Sequence, residues 1–239
     1  MPVIARAFFL TTLALVAALP AQAQRPSDEA QLRATSIAYG DCVVRRYTAR
    51  AQQVVLVELP NDRILDDHRR LISTDCMNDA NNRDGSGIRF RADSFRYMLA
   101  EGLVRLHYLE SGPTDFSAVP RIDRPAIAPI DEAALTRLSA RRQAEAREGH
   151  RVALGLHTLN MLSECIVRTA PEEVRALAQT EPQSAAETQG FAPVQPAIAA
   201  CLPADATVRL NRAVLRGALL LSYYRLAHAV QPVAPTSRD

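Results

Sequence analysis

Asp41-Cys42-Val43-Val44-Arg45 and Glu164-Cys165-Ile166-Val167-Arg168 are two versions of one segment: an acidic residue, a cysteine, two β-branched residues and an arginine. A second cysteine follows each at a similar interval, Cys76 after 34 positions and Cys201 after 36. Beyond it each copy enters an apolar, helix-like run with an arginine near its start. These runs are Phe95-Arg96-Tyr97-Met98-Leu99-Ala100 and Leu215-Arg216-Gly217-Ala218-Leu219-Leu220. Three landmarks at matched spacing read as an internal repeat, although identity outside them is low. The expected fold is all-α: two tandem cystine-linked helical modules, residues 27–110 and 131–230, joined by a Pro-rich linker over 111–130.

Helical patterning supports this class. Ala and Leu are abundant, only nine Gly are present, and no segment sustains the alternation of a half-buried strand. Leu32, Ser36, Tyr39, Val43 and Arg46 lie about one turn apart, which puts the first cysteine late in a helix. Thr48 is expected to cap the next helix, running to Leu59 and ended by Pro60; Asn61 caps a third that carries Ile64, His68 and Leu71 toward Cys76. In the second copy, Thr169-Ala170-Pro171-Glu172 and Ser184-Ala185-Ala186-Glu187 have capping-box spacing, and Asp205 caps a last helix through about Ala229. Between the copies, Gly112, Pro113, Pro120, Pro125 and Pro129 resist regular structure. Asp131 then caps a helix with Leu135, Leu138 and Arg142 in register, and Leu154, His157, Met161 and Cys165 share roughly one face; whether Gly149 breaks this run is left open. The tail, 231–239, with Pro232 and Pro235, is expected to be disordered.

The N-terminus reads as a secretory signal, residues 1–23. Arg6 precedes an apolar run from Ala7 to Leu19, too short for the roughly 20 residues a bilayer requires, and Ala21-Gln22-Ala23 fits a signal peptidase site. The stretch from Ala213 to Val230 is interrupted by Arg216, Arg225 and His228, which argues for a buried helix and against stable membrane insertion. An exported chain meets an oxidising compartment, so four cysteines in matched pairs suggest disulfides Cys42–Cys76 and Cys165–Cys201. Each such closure would stabilise its module by about 3–4 kcal/mol in the chain-entropy model. The expected location is periplasmic or secreted.

Charge is near balance at +2, which gives no case for nucleic acid. All 28 basic residues are Arg. Arg is the better bidentate binder of anionic polymers, but these are spread along the chain, as a coding preference of a GC-rich genome would leave them.

Candidate chemistry is sparse. His150, His157 and Glu164 fall at two-turn intervals, but donors about 10 Å apart along one helix do not converge on a metal, and HExxH is absent. The segment from Asn82 to Asp93 has the skeleton of an EF-hand loop, spoiled by Asn at its first position, Arg89 at its eighth and Asp as its last ligand. No nucleophile elbow, P-loop or GxGxxG is present. No catalytic residue, metal or cofactor is therefore assigned. Arg96 and Arg216 begin the most apolar helices, and a buried guanidinium needs a carboxylate. The expected structural ion pairs are Arg96–Asp41 and Arg216–Glu164; the alternative is that both Arg face a groove and bind an anion.

Cys42-Val43-Val44-Arg45 and Cys165-Ile166-Val167-Arg168, each with an Ala-rich helix nearby, resemble a group of uncharacterised exported proteins of alphaproteobacteria. The resemblance covers both copies but not the linker, and it implies location and architecture, not an activity. Two function classes follow. One is a non-enzymatic binding module of the cell envelope, presenting a groove between the copies to a protein, peptide or polymer. The other is a small-molecule or lipid carrier, or an enzyme, with a pocket under residues 213–230 and Tyr223 and Tyr224 as its polar handles.

Overall fold

Two helices form the centre of the molecule because almost every side chain along them is withdrawn from water. In the computed structural model, which describes residues 28–57, 61–80, 91–203 and 211–234, these are α5 (Ala92–His107) and α11 (Arg212–Val230). Residues from Phe95 to Val104 and from Leu215 to Ala227 are buried without interruption. The first half also contributes α1 (Asp28–Arg46), α2 (Thr48–Leu56), α3 (Asn61–Asp67), a 3-10 turn (Arg69–Leu71) and α4 (Thr74–Ala80). The second half contributes α6 (Glu132–Leu135), α7 (Ala140–Thr169), α8 (Pro171–Leu177), α9 (Ala185–Phe191) and α10 (Gln195–Cys201). The described residues contain no strand, and the chain is all-α as the sequence pattern requires. No described helix is long and apolar enough to cross a membrane.

Packing in the two halves follows one plan. The cysteine-bearing helix lies on the central helix, α1 on α5 and α7 on α11; the short helix after it packs on the same central helix, α2 on α5 and α8 on α11. The second cysteine sits on a short helix against the first, α4 on α1 and α10 on α7. Even the breaks match. Five residues past the first cysteine of each copy, Tyr47 and Ala170 leave the helix with φ −133°, ψ 50° and φ −139°, ψ 63°. The central helices then pack on each other, and Gly217 lies so close to Tyr97 that a Cβ there would fall 2.5 Å from the tyrosine Cβ. Tyr97 and Gly217 each follow one of the paired arginines, so the halves meet at corresponding positions.

Both disulfides close within their own half. Cys42 and Cys76 have Cα atoms 5.5 Å apart, and Cys165 and Cys201 are 5.9 Å apart, inside the range a disulfide requires. Their surroundings differ: Cys42 and Cys76 are buried, whereas Cys165 is exposed and Cys201 half-buried.

Several local expectations give way to specific competitors. Thr48 does not cap α2; its hydroxyl donates back to the Val44 carbonyl, and Thr169 does the same to Cys165. Helix α2 ends at Leu56, before the residues preceding Pro60. Asn211, not Asp205, caps α11 by accepting from the Ala213 and Val214 amides; Asp205 lies outside the described residues. Ser184 and Asp131 do cap, accepting from Glu187 N and Ala134 N. Gly149 breaks nothing, since α7 is continuous over 30 residues. The signal segment, most of the candidate calcium loop and the end of the tail also lie outside the described residues.

The Pro-rich stretch is more than a tether. Phe116 is buried against Tyr223, the Tyr223 hydroxyl donates to Pro113 O, and a Cβ at Gly112 would fall 2.2 Å from that hydroxyl. Arg168 donates to the carbonyls of Phe116, Val119 and Pro120. The helices α5 and α11, one from each half, share one continuous core.

Glycine substitutions separate packing from propensity. Gly149 and Gly155 have nothing within 4 Å of an added Cβ, so Gly155→Ala should stabilise by about 0.5–1 kcal/mol. Gly217→Ala should instead destabilise by about 1–3 kcal/mol, because the Tyr97 Cβ cannot swing away. Urea unfolding of the two variants measures both; a stabilising Gly217→Ala contradicts the close approach of α5 and α11.

Candidate functional site

Charged side chains meet where the halves join. Arg216 is fully buried, and its guanidinium donates to Glu101 Oε1 at 2.6 and 3.1 Å and to Glu187 Oε1 at 3.1 Å. Thr180 supplies two further acceptors, its hydroxyl at 2.7 Å and its carbonyl at 2.9 Å. Glu101 also accepts from Arg105 at 3.0 Å, and Arg105 reaches on to Asp41 at 2.8 Å. On the other side, Glu187 accepts from Arg33 at 3.4 Å. Three arginines and three carboxylates therefore alternate from Asp41 to Arg33, both on α1, and the circuit crosses α5, α11 and α9. Buried charge is tolerable because each neighbour in the circuit is of opposite sign and hydrogen-bonded. Glu187 Oε2 also accepts from the amide of Gln183, whose φ of 57° would otherwise cost about 1 kcal/mol in the left-handed region.

The expected pairs are thus exchanged. Asp41 takes Arg105 rather than Arg96, which is buried earlier on the same helix. Arg216 takes Glu101 and Glu187 rather than Glu164. Glu164 instead binds Arg124 of the Pro-rich strap, Arg168 one turn on, and the amide of Ile122. Burial alone would raise its pKa, but the bonds from Arg124, Arg168 and Ile122 outweigh that and hold the carboxyl below its usual value.

Tyr223 and Tyr224 do not line a described cavity. Both are fully buried, their hydroxyls committed to Pro113 O and to Gln52 Nε2, and burial pushes each phenol up to about 12. Around Tyr224 gather Tyr108, His107 and His228, the last stacked on it at 5.8 Å. This cluster holds the start of the tail. Tyr108 donates to Gln231 O at 2.7 Å, Gln52 donates to Val233 O at 3.3 Å, and the Val233 amide donates to His228 Nδ1 at 3.4 Å.

Two open, polar clefts lie on the first half. One, of about 390 Å³, is lined by Ala38, Asp41, Cys42, Arg45, Arg46, Asp79 and Ala80; the other, of about 430 Å³, by residues including Arg50, His68, Arg69 and Arg70. In the first cleft Arg46 is paired with Asp75 and Asp79. Arg45, exposed at the cleft, makes no ion pair among the described residues. No group of three metal-ligating side chains comes together among the described residues, and Glu164 is spent on arginines rather than joined to His150 and His157.

Glu101, Arg105 and Glu187 escaped the sequence reading. A carboxylate inside the apolar run from Phe95 to Val104 was the available signal for Glu101, and Glu187 was hidden by its place in a capping box. The chain matches no protein-family model, no curated protein and no solved structure.

Replacing Arg216 by Met leaves two buried carboxylates with one weaker arginine partner each, Arg105 for Glu101 and Arg33 for Glu187, and should cost about 3–5 kcal/mol in denaturant unfolding. Adding Glu187→Gln should recover part of that loss, because the two sites share one interaction. A cost below about 1 kcal/mol would mean that the pair is effectively solvated.

The histidine cluster generates a pH dependence. Burial lowers the pKa of His107, assisted by neighbouring His228, and burial lowers His228. The folded pKa values thus lie below the unfolded value of about 6.5, so this contribution to stability is complete above about pH 6.5 and declines as pH falls toward the folded values. His107, the last residue of α5, and Tyr224 on α11 are the titratable groups that face His228, Tyr108 lies against His107 and Tyr224, and no described carboxylate bonds to either imidazole. The protection factor of the Val233 amide, which corrects for the slowing of intrinsic exchange in acid, should fall between pH 7.5 and 5, and His228→Gln should raise the His107 midpoint in an NMR titration.

Proposed function

We propose that this chain is an exported, non-enzymatic binding module of the cell envelope, built from a duplicated cystine-linked unit, that engages a partner through the open cleft beside Cys42. The carrying observation is the state of its charges. The buried ones at the junction of the halves are consumed in holding the fold, while Arg45 is exposed at the edge of a polar cleft and makes no ion pair among the described residues. Two disulfides support an oxidising compartment, and the matched packing of α1, α2, α4 and α5 with α7, α8, α10 and α11 supports duplication. The resemblance to exported alphaproteobacterial proteins points the same way. The expected groove between the copies is filled by the contact of α5 with α11, which moves the proposed binding face to the first half. Nothing favours the carrier or enzyme reading, since its polar handles, Tyr223 and Tyr224, are spent within the core.

Photo-crosslinking in the exported protein tests this. A crosslinker at Ala38 and at Arg45 should each yield the same partner adduct, and one at Arg151, on the exposed part of α7, should not. No adduct from the cleft, or equal adducts from all three positions, overturns the proposal.

A further inference from the structure

The two motif arginines occupy corresponding places and are used differently. Arg168 fastens an extended piece of this chain: it donates to Phe116 O at 2.7 Å, Val119 O at 3.0 Å and Pro120 O at 2.7 Å, while Glu164 accepts the Ile122 amide at 3.1 Å. Glu164 and Arg168 lie four residues apart on α7, so acid and arginine project from one face and form a two-sided clamp for a polypeptide backbone. The clamp reads main-chain carbonyls and an amide, and a Pro in the segment removes a competing donor without loss of any acceptor.

The corresponding face of α1 carries Ala38, Asp41, Cys42 and Arg45, and these are the residues along one wall of the 390 Å³ cleft. Asp41 stands four residues before Arg45 as Glu164 stands before Arg168. Here no described segment of the chain crosses the face at Arg45, and the wall opposite is Asp79 and Ala80 of α4. Asp41 is steadied by Arg105 instead of by its own motif arginine, and the Arg45 guanidinium makes no ion pair or hydrogen bond among the described residues.

We infer that the Asp41–Arg45 cleft is the counterpart of the strap site, and that it binds an extended, Pro-containing segment of a partner protein through the backbone carbonyls that Arg45 would collect. This deepens the binding role proposed above and rests on it. An anionic polymer would use the same guanidinium as a charge, but the precedent within this molecule is a guanidinium that pairs with its motif carboxylate and spreads its remaining bonds over three neutral carbonyls, for which the planar fork matters more than the charge.

The strap itself supplies the probe: a fluorescein-labelled peptide of residues 114–124, titrated against the full-length, disulfide-intact exported protein and followed by anisotropy. Binding is expected, weakened at least tenfold by Arg45→Ala and nearly as much by Arg45→Lys, which keeps the charge and loses the fork. Arg168→Ala should leave it intact, because the peptide occupies the other clamp. Circular dichroism and thermal unfolding of each variant establish that the fold persists; Arg45 is exposed and bonds to no described residue. No binding to the wild-type protein, binding indifferent to Arg45→Ala, binding lost only with Arg168→Ala, or full retention by Arg45→Lys with displacement by polyphosphate overturns the inference. Any of these alongside specific crosslinks from Ala38 and Arg45 leaves the broader binding role standing.

Discussion

Arg216 is the point on which the two halves depend. A guanidinium with no exposure to solvent is admissible only when its charge and its donors are answered, and the answers come from both sides: Glu101 belongs to the first half, Glu187 and Thr180 to the second. The interaction does more to specify than to stabilise. An apolar residue could fill the volume, but it would accept many offsets of α11 along α5, whereas a fork that must meet Glu101 on one side and Glu187 on the other admits one. The close approach of Gly217 to Tyr97, one residue on, then becomes possible.

Beneath that constraint lies ordinary packing. Each half supplies a cystine that pins a short helix to a long one and a central helix that is buried on all sides and mostly apolar, and such a helix is stable only if covered all round. Neither half can cover its own: α1 and α2 shield part of α5, α7 and α8 part of α11, and the faces left over are buried against each other. The strap closes one remaining opening, with Phe116 beneath it and Arg168 and Glu164 across it.

The helical class, the disulfide pairing and the burial of Arg96 and Arg216 were legible because each rests on spacing, and spacing is a property of the sequence. Partner choice was not. Asp41 and Glu164 were the natural mates for those arginines by position in the repeat, but position fixes only which helix a carboxylate is on, while pairing depends on how neighbouring helices are rotated and offset. The same limit explains the caps. Thr48 and Thr169 have the right type at the right distance, but each lies within reach of a carbonyl one turn back, which competes for the hydroxyl. The strap was misjudged for a third reason: Pro and Gly exclude helix and sheet ladders, but they leave carbonyls free to accept from side chains, and an arginine 48 residues away is invisible to any local pattern.

Tyr97 and Gly217 touch although they hold the same place in their respective halves. Contacts between like positions are the ones a two-fold axis produces, so α5 and α11 meet as matching helices of a symmetric dimer would. In a dimer of identical chains, every residue serves two environments at once, and a change useful in one is imposed on the other. Two segments of one chain are free of that coupling. One motif arginine fastens the strap while the other is exposed, and the side chains at this contact, tyrosine in one half and glycine in the other, are complementary shapes that no identical pair could provide.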